Sequence, residues 1–317
     1  MKKESISFER VIEIGCGIDA HKDLFVATIR KSQKFIETRQ FDGYTSSLIE
    51  LRDWCKSHGV THIAVESTGI YWKPLFKIIS DDFEVILVNA RHVKNVPGHK
   101  TDKKDSKWLS KLLVAGLLKG SFIPPRDIRE LRDLVRYKRK LVDQASSEKN
   151  RIIKILEDAN IKLSSVLTNV DGSTGTKVIN DIISGENDAE KLSLHHHPLM
   201  KASQEEMIKA LEGRVTPHHQ FMLRLVKQSL MDKEAMIDVL ETKIDEEVSV
   251  YEVEIDLLQT IPGVGRDSAI SIISEIGTDM NQFPNEKHLS SWAGMSPGNN
   301  ESGGKKKQQE PYTAINT

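Results

Sequence analysis

Several features that hold exported or membrane proteins together are scarce here. The 317 residues include only two cysteines, Cys16 and Cys55, too few for a disulfide framework or a thiolate zinc site. No apolar run approaches the roughly 18 residues that a membrane-spanning helix needs. The opening MKKESISFERVIEIGCG lacks the continuous apolar segment of a signal peptide. These absences predict a cytoplasmic protein without membrane contact. A surplus of one charge is also missing, because 45 Lys and Arg oppose 46 Asp and Glu for a formal charge of −1. That balance excludes a uniformly basic coat, so any polyanion contact must come from local patches. Length is ample, and at roughly 150 residues per domain it allows two cores.

Three compositional zones follow one another. Residues 11–19, 24–30 and 35–41 read as strands of an antiparallel meander. Residues 45–57 carry Leu48, Leu51 and Trp54 at helical spacing, and Gly59 stops the helix. A fourth strand at 62–66, a helix at 71–80 and a buried fifth strand at 84–89 follow. Residues 102–119 then read as an amphipathic helix with Trp108, Leu109, Leu112, Leu113 and Leu117 inward. The order βββαβαβα defines a mixed α/β domain over residues 1–123, closed by Pro124-Pro125.

Strand signals then almost vanish. Leu131, Val135, Val142, Ala145, Ile152, Leu156 and Ala159 recur at spacings of three, four or seven, which predicts a long helix. A polar interval at 169–190, containing Asp171-Gly-Ser-Thr-Gly, reads as a loop. A second long helix repeats the seam with Leu223, Val226, Leu230, Ile237, Leu240, Ile244 and Val248. Two matching seams within residues 124–254 predict a coiled-coil region, either an antiparallel hairpin or a dimerising stalk, and favour a homo-oligomer of at least two subunits. Residues 255–317 form a short Gly- and Ser-rich zone with a polar tail.

Four acids stand where chemistry can gather. Asp19 closes the first strand, Glu66 closes the fourth, and Asp102 and Asp105 open the helix at 102–119. Helical spacing of three puts the last two on one face. With the first and fourth strands adjacent at the sheet centre, all four can converge. Singly three of them have ordinary roles, Asp102 as a cap, Asp105 on the helix dipole and Asp19 in a turn, whereas Glu66 ends the apolar strand Ile63-Ala64-Val65. Converging carboxylates need compensating cations, and such hard oxygen ligands suit Mg2+ or Mn2+. Two ions about 4 Å apart stabilise both the entering and the leaving oxygen of a phosphoryl transfer. Arg91, Lys94, Lys100, Lys103, Lys104 and Lys107 surround Asp102 and Asp105, as a basic collar for a phosphodiester or as a solvated helix face.

Other motifs carry less. Ile261-Pro-Gly263-Val-Gly265 between apolar stretches reads as the turn of a helix-hairpin-helix or as an ordinary glycine turn, the former letting backbone amides approach a phosphate. Arg129, Arg132, Arg136 and Arg139 line one helix face, available to nucleic acid or to salt bridges with Asp127, Glu130 and Asp133. His195 to His197 and His218-His219 lack partners at metal-ligand spacing. Gly172 to Lys177 has the wrong gap for a nucleotide-binding loop.

The segments Gly-Ile-Asp19-Ala-His-Lys, Val-Glu66-Ser-Thr-Gly-Ile-Tyr-Trp and Lys-Thr-Asp102-Lys-Lys-Asp105-Ser resemble the N-terminal motifs of the DEDD transposases of the insertion-sequence-110 and 1111 families, relatives of Piv-type DNA invertases. The runs beginning at Leu257 and Ser291 resemble their C-terminal transposase domain. The resemblance implies a RuvC-like, RNase H-fold domain carrying Asp19, Glu66, Asp102 and Asp105 as metal ligands. It also implies a coiled-coil insertion that assembles subunits, and a small domain over residues 255–317 supplying a serine. Ser302 aligns with that serine, ahead of Ser296, and Lys305 stands close enough in sequence to hold a phosphate. DNA and a structured guide RNA, the bridge RNA, are the implied partners. Relatives continue past Ser302-Gly-Gly-Lys305 with further basic and helical sequence, so the expectation is a truncated copy. The leading reading is a metal-dependent DNA transposase or recombinase with a serine nucleophile. The rivals are a RuvC-like nuclease using water and an inactive nucleic-acid-binding remnant.

Overall fold

Alternation of apolar with small or polar residues builds a five-stranded sheet from β1 (Ile14–Ala20), β2 (Leu24–Lys31), β3 (Lys34–Asp42), β4 (His62–Glu66) and β5 (Glu84–Val88). The computed structural model describes residues 12–32, 34–66, 69–88, 105–118, 120–293, 295, 301–302 and 305–306. Strand order is β3-β2-β1-β4-β5. The predicted meander is antiparallel, whereas β1/β4 and β4/β5 are parallel. Each parallel pair needs a crossover, supplied by α1 (Thr45–Ser57) before β4 and α2 (Trp72–Ile79) before β5.

The two sheet faces differ. Cys16, Ile18, Phe25, Ala27, Ile29, Ile63 and Val65 pack against Leu48, Leu51, Trp54, Leu75 and Ile79 of α1 and α2. On the other face Ala64 and Val88 meet Leu109, Leu112 and Leu113 of α3 (Asp105–Val114). Leu117, expected inward, is 63% exposed. The helix ends at Val114 and the chain turns through Gly116 at φ 67°, which carries Leu117 off the buried stripe.

Two compact units divide the chain: residues 1–123 with 280–317, and residues 124–279. In the second unit α4 (Arg126–Asp158) and α9 (Pro217–Val248) pair antiparallel. Ion pairs mark the register from one end to the other: His219 with Asp158, Lys233 with Glu148, Lys138 with Glu241. The two seams thus face each other within one chain. Val142, expected in the seam, is exposed and Leu141 is buried instead. Leu141 lies about 40° round the helix from the buried Ala145, and Val142 about 60°.

The expected loop at 169–190 is mostly helical. Between α5 (Leu163–Val166) and α7 (Ala189–Ser193), α6 (Ser173–Ser184) buries Val178, Ile179 and Ile182. Gly175 reads as a loop residue but meets a packing demand, since a Cβ there would lie 2.0 Å from the Val170 carbonyl oxygen. A Ser203/Glu206 capping box starts α8 (Gln204–Leu211). Residues 255–279, read from sequence as the start of a C-terminal zone, pack in this same unit. There α10 (Glu252–Gln259) and α11 (Arg266–Ile276) place Ile255, Ala269, Ile270 and Ile273 against Ile128, Leu131, Ile244 and Val248. The first unit also contains α12 (Glu286–Trp292), where Phe283 stacks edge-on between Phe122 and Trp292 at 5.6 and 5.8 Å. Among the described residues no helix is long and apolar enough to cross a membrane.

Candidate functional site

Register and alternation together place the first two acids. The parallel β1/β4 ladder runs from Gly15↔His62 to Ile18↔Val65, so Asp19 and Glu66 occupy the next rung. Cys16 and Ile18, like Ile63 and Val65, belong to the α1/α2 core. With a side-chain period of two, Gly15, Gly17 and Asp19 lie on the opposite face, as do His62, Ala64 and Glu66. That is the face covered by α3.

How α3 lies there is read from the glycines beneath it. Gly15 lies under Leu113 and Val114, and Gly17 lies under Ser106, Leu109 and Ser110. The helix therefore runs antiparallel to β1, with its first turn near the Asp19 end. A Cβ at Gly17 would lie 2.3 Å from the Ser110 amide nitrogen and 2.4 Å from the Ser106 carbonyl oxygen, so only glycine admits this approach. Asp105 is the first residue of α3. Its backbone thus brings a third acid to the sheet edge that carries Asp19 and Glu66. Asp102, Lys100, Lys103 and Lys104 lie outside the described residues.

The Asp19 carboxylate is 17% exposed, and its Oδ2 lies 3.2 Å from Nε2 of the exposed His21. Reading the sequence for acids alone passed over His21, which directly follows β1 and stands two positions after Asp19. Hard carboxylate oxygens at one sheet edge are a donor set that fits Mg2+ or Mn2+. Among the described residues no group of three or more His, Cys, Asp and Glu residues close enough to hold a metal occurs; of the four acids, side chains are described for Asp19 and Glu66. Ser302 lies in β6 (Glu301–Ser302), and its antiparallel register partner is Lys305 of β7 (Lys305–Lys306).

Residues 16–161 match the IS110-type DEDD transposase family model, and residues 255–314 match the model of the transposase IS116/IS110/IS902 family. The transposase for insertion sequence element IS1111A of Coxiella burnetii (strain RSA 493 / Nine Mile phase I) is 22% identical over 298 residues, covering 91% of this chain and 70% of that relative. This chain belongs to the IS110/IS1111 family of transposases. All four acids lie within the first matched region, and Ser302 with Lys305 lies within the second.

The other candidate residues of the transposase divide by their partners. Arg132 donates to the Ser274 and Glu275 carbonyls at 3.0 and 2.5 Å. Arg136 holds the Glu275 carboxylate with two bonds, at 2.8 and 3.0 Å. These guanidiniums fasten the C-terminal end of α11 to α4. Burial pushes Arg132 below the usual arginine range although Glu275 opposes this. Arg129 is half-buried, and Arg139 is exposed.

The turn between α10 and α11 has Gly263 at φ 88° and Gly265 at the N-cap of α11. A Cβ at Gly263 or Gly265 would meet nothing within 4 Å. Beside the turn, Arg266 is held by Glu252 and Asp245. The histidines have structural partners: His195 with Asp181, His196 with the Ala202 carbonyl, and His219 with Asp158 and the Thr216 cap.

Proposed function

We propose that this transposase cuts and rejoins DNA at a composite centre, with Asp19, Glu66, Asp102 and Asp105 holding divalent metal and Ser302 acting as nucleophile. The observation that carries the reading is the rung shared by Asp19 and Glu66 on the face where the first turn of α3 lies. An RNase H-like (RuvC-like) catalytic domain fits the mixed sheet order and this placement of acids. Bound Mg2+ or Mn2+ supplies positive charge to a scissile phosphate as negative charge builds in the transition state. The carboxylates hold that charge in place, and their own repulsion is relieved by it.

Ser302 Oγ forms a bond to phosphorus as the phosphate–oxygen bond of the DNA strand breaks. The hydroxyl proton is released, and the leaving strand oxygen takes up a proton. The phosphoserine link retains the bond energy for rejoining, which suits strand exchange without a nucleotide cofactor. Lys305, the register partner of Ser302, supplies a cation for the phosphate. Exposed Arg139, half-buried Arg129 and the collar of Lys100, Lys103 and Lys104 supply contacts for DNA or a bridge RNA, with Arg132 and Arg136 tied to α11. Gly263 and Gly265 offer backbone amides to a phosphate. A homo-oligomer of at least two subunits would unite acids and serines from different copies.

The test is cleavage of supercoiled DNA carrying the element ends, with the element's RNA and Mg2+, by the full chain. A denaturation-resistant protein–DNA adduct is expected, absent in Ser302→Ala and in Asp19→Asn. Wild-type cleavage by Ser302→Ala would replace the serine with water as nucleophile. An adduct formed by Asp19→Asn would remove the acidic site from the chemistry.

A further inference from the structure

Three hydroxyls form a line through the first unit beneath α3. Thr38 Oγ1 on β3 lies 2.8 Å from Thr28 Oγ1 on β2. That oxygen lies 2.9 Å from Ser106 Oγ in the first turn of α3. Thr28 is completely buried, and Ser106 is 4% exposed. A valine would fill the place of Thr28 on a buried strand with the same branched shape and no polar atom to satisfy. The hydroxyl is therefore not explained by packing.

Its geometry supplies what packing lacks. Leu109, Leu112 and Leu113 press α3 onto the sheet, but apolar contact is non-directional and leaves the axial setting of a helix soft. A hydrogen bond fixes it, because donor and acceptor must meet within a narrow range of distance and angle. A slip of α3 by one residue would move its N-terminus by about 1.5 Å and turn it by about 100°. Sites that bind metal or substrate tolerate only about 0.5 Å. Asp105 directly precedes Ser106 in the chain, so the bond at Ser106 acts where that precision is needed. Thr28 is also the register partner of Gly17, the residue on which the same turn rests.

We infer that Thr28 and Ser106 are positioning residues whose hydrogen bond sets α3 along the sheet and holds Asp105 at the Asp19–Glu66 edge for binding a divalent ion. The inference rests on the metal reading of the acids given above. It assigns no contact with substrate to either hydroxyl.

Calorimetric titration of Mn2+ into the metal-free full chain tests it, with metal-free melting followed in parallel. Thr28→Val and Ser106→Ala are expected to bind Mn2+ about tenfold more weakly, the usual size of such second-layer effects. Thr28→Ser, which keeps the hydroxyl, is expected to bind as the wild type does. A merely structural role would lower the melting temperature and leave the affinity of the folded protein unchanged. Wild-type affinity in both Thr28→Val and Ser106→Ala overturns the inference, and so does a Thr28→Ser variant as weak as Thr28→Val. Should Thr28→Val not fold, Ser106→Ala carries the comparison, since alanine favours the helix. Asp19→Asn separates the two layers of argument. Loss of binding there, with wild-type affinity in the hydroxyl variants, refutes the positioning role alone. Wild-type binding by Asp19→Asn refutes the metal reading and the inference together.

Discussion

Gly17→Ala puts one methyl group between β1 and α3, and the consequence follows from distances. The added Cβ would lie 2.3 and 2.4 Å from backbone atoms of Ser110 and Ser106, where ordinary contact begins at 3.4 Å. Neither atom belongs to a flexible side chain, so the helix as a whole must retreat by about 1 Å, an overpacking defect costing about 1–3 kcal/mol. Leu109, Leu112 and Leu113, all nearly inaccessible to solvent, would lose contact with Ala64 and Val88. All four tryptophans, Trp54, Trp72, Trp108 and Trp292, belong to the first unit, so fluorescence excited selectively at tryptophan follows that unit, free of Tyr137 and Tyr251 in the second. In urea the fluorescence midpoint is expected to fall by on the order of 1 M, given a slope of about 1–3 kcal/mol per M. Mn2+ affinity should fall with it, because Asp105 moves with the helix. An alanine variant with the wild-type midpoint and wild-type Mn2+ affinity would refute the placement of α3 and the role given to Gly17.

Three other outcomes are expected. Burial pushes the Glu148 carboxyl up, but bonds from Lys233 and Ser229 outweigh it and leave the group below the ordinary carboxylate range. A depressed carboxyl stabilises the fold above its unfolded pKa, and that contribution is lost as pH falls through the folded value. Melting of the α4/α9 pair, followed by circular dichroism, should thus lose stability below the ordinary carboxylate range, and less steeply in Glu148→Gln; equal acid dependence in both proteins would refute the sign. Arg136→Gln should lower stability by about 1 kcal/mol, an exposed-pair value, and leave the salt dependence of DNA binding unchanged. Arg139→Gln should reduce the salt slope by about 1 without changing stability; the reverse pattern would exchange their roles.

Much of the first unit was legible because its signals are local. Strand alternation, Gly59 after α1 and the two acids at strand ends all lie within a few residues of what they determine. The same alternation places Asp19 and Glu66 on one face, once β1 and β4 are neighbours. Signals spanning the chain were not legible. Arg132 and Arg136 looked like a basic face because Glu275 is far away in sequence. The Thr28–Ser106 bond joins residues separated by 78 positions. Gly172-Ser-Thr-Gly175 resembled a loop although the demand for glycine at 175 comes from the nearby Val170 carbonyl, because that demand arises from backbone geometry and not from residue type. In the helical pair, apolar spacing revealed the seams but not their register, which Glu148, Lys233 and Asp158 mark through partners on the other helix.

The proposed convergence of the four acids can be tested directly by substituting Fe2+ for Mg2+ in the full chain, adding ascorbate and peroxide, and weighing the fragments. Hydroxyl radicals made at a bound iron cut only backbone close to it. The account predicts cuts beside Asp19, beside Glu66 and within Asp102 to Asp105, all suppressed by excess Mg2+ and absent in Asp19→Asn. Cuts at one of these segments without the others, or Mg2+-sensitive cuts elsewhere in the chain, would contradict it.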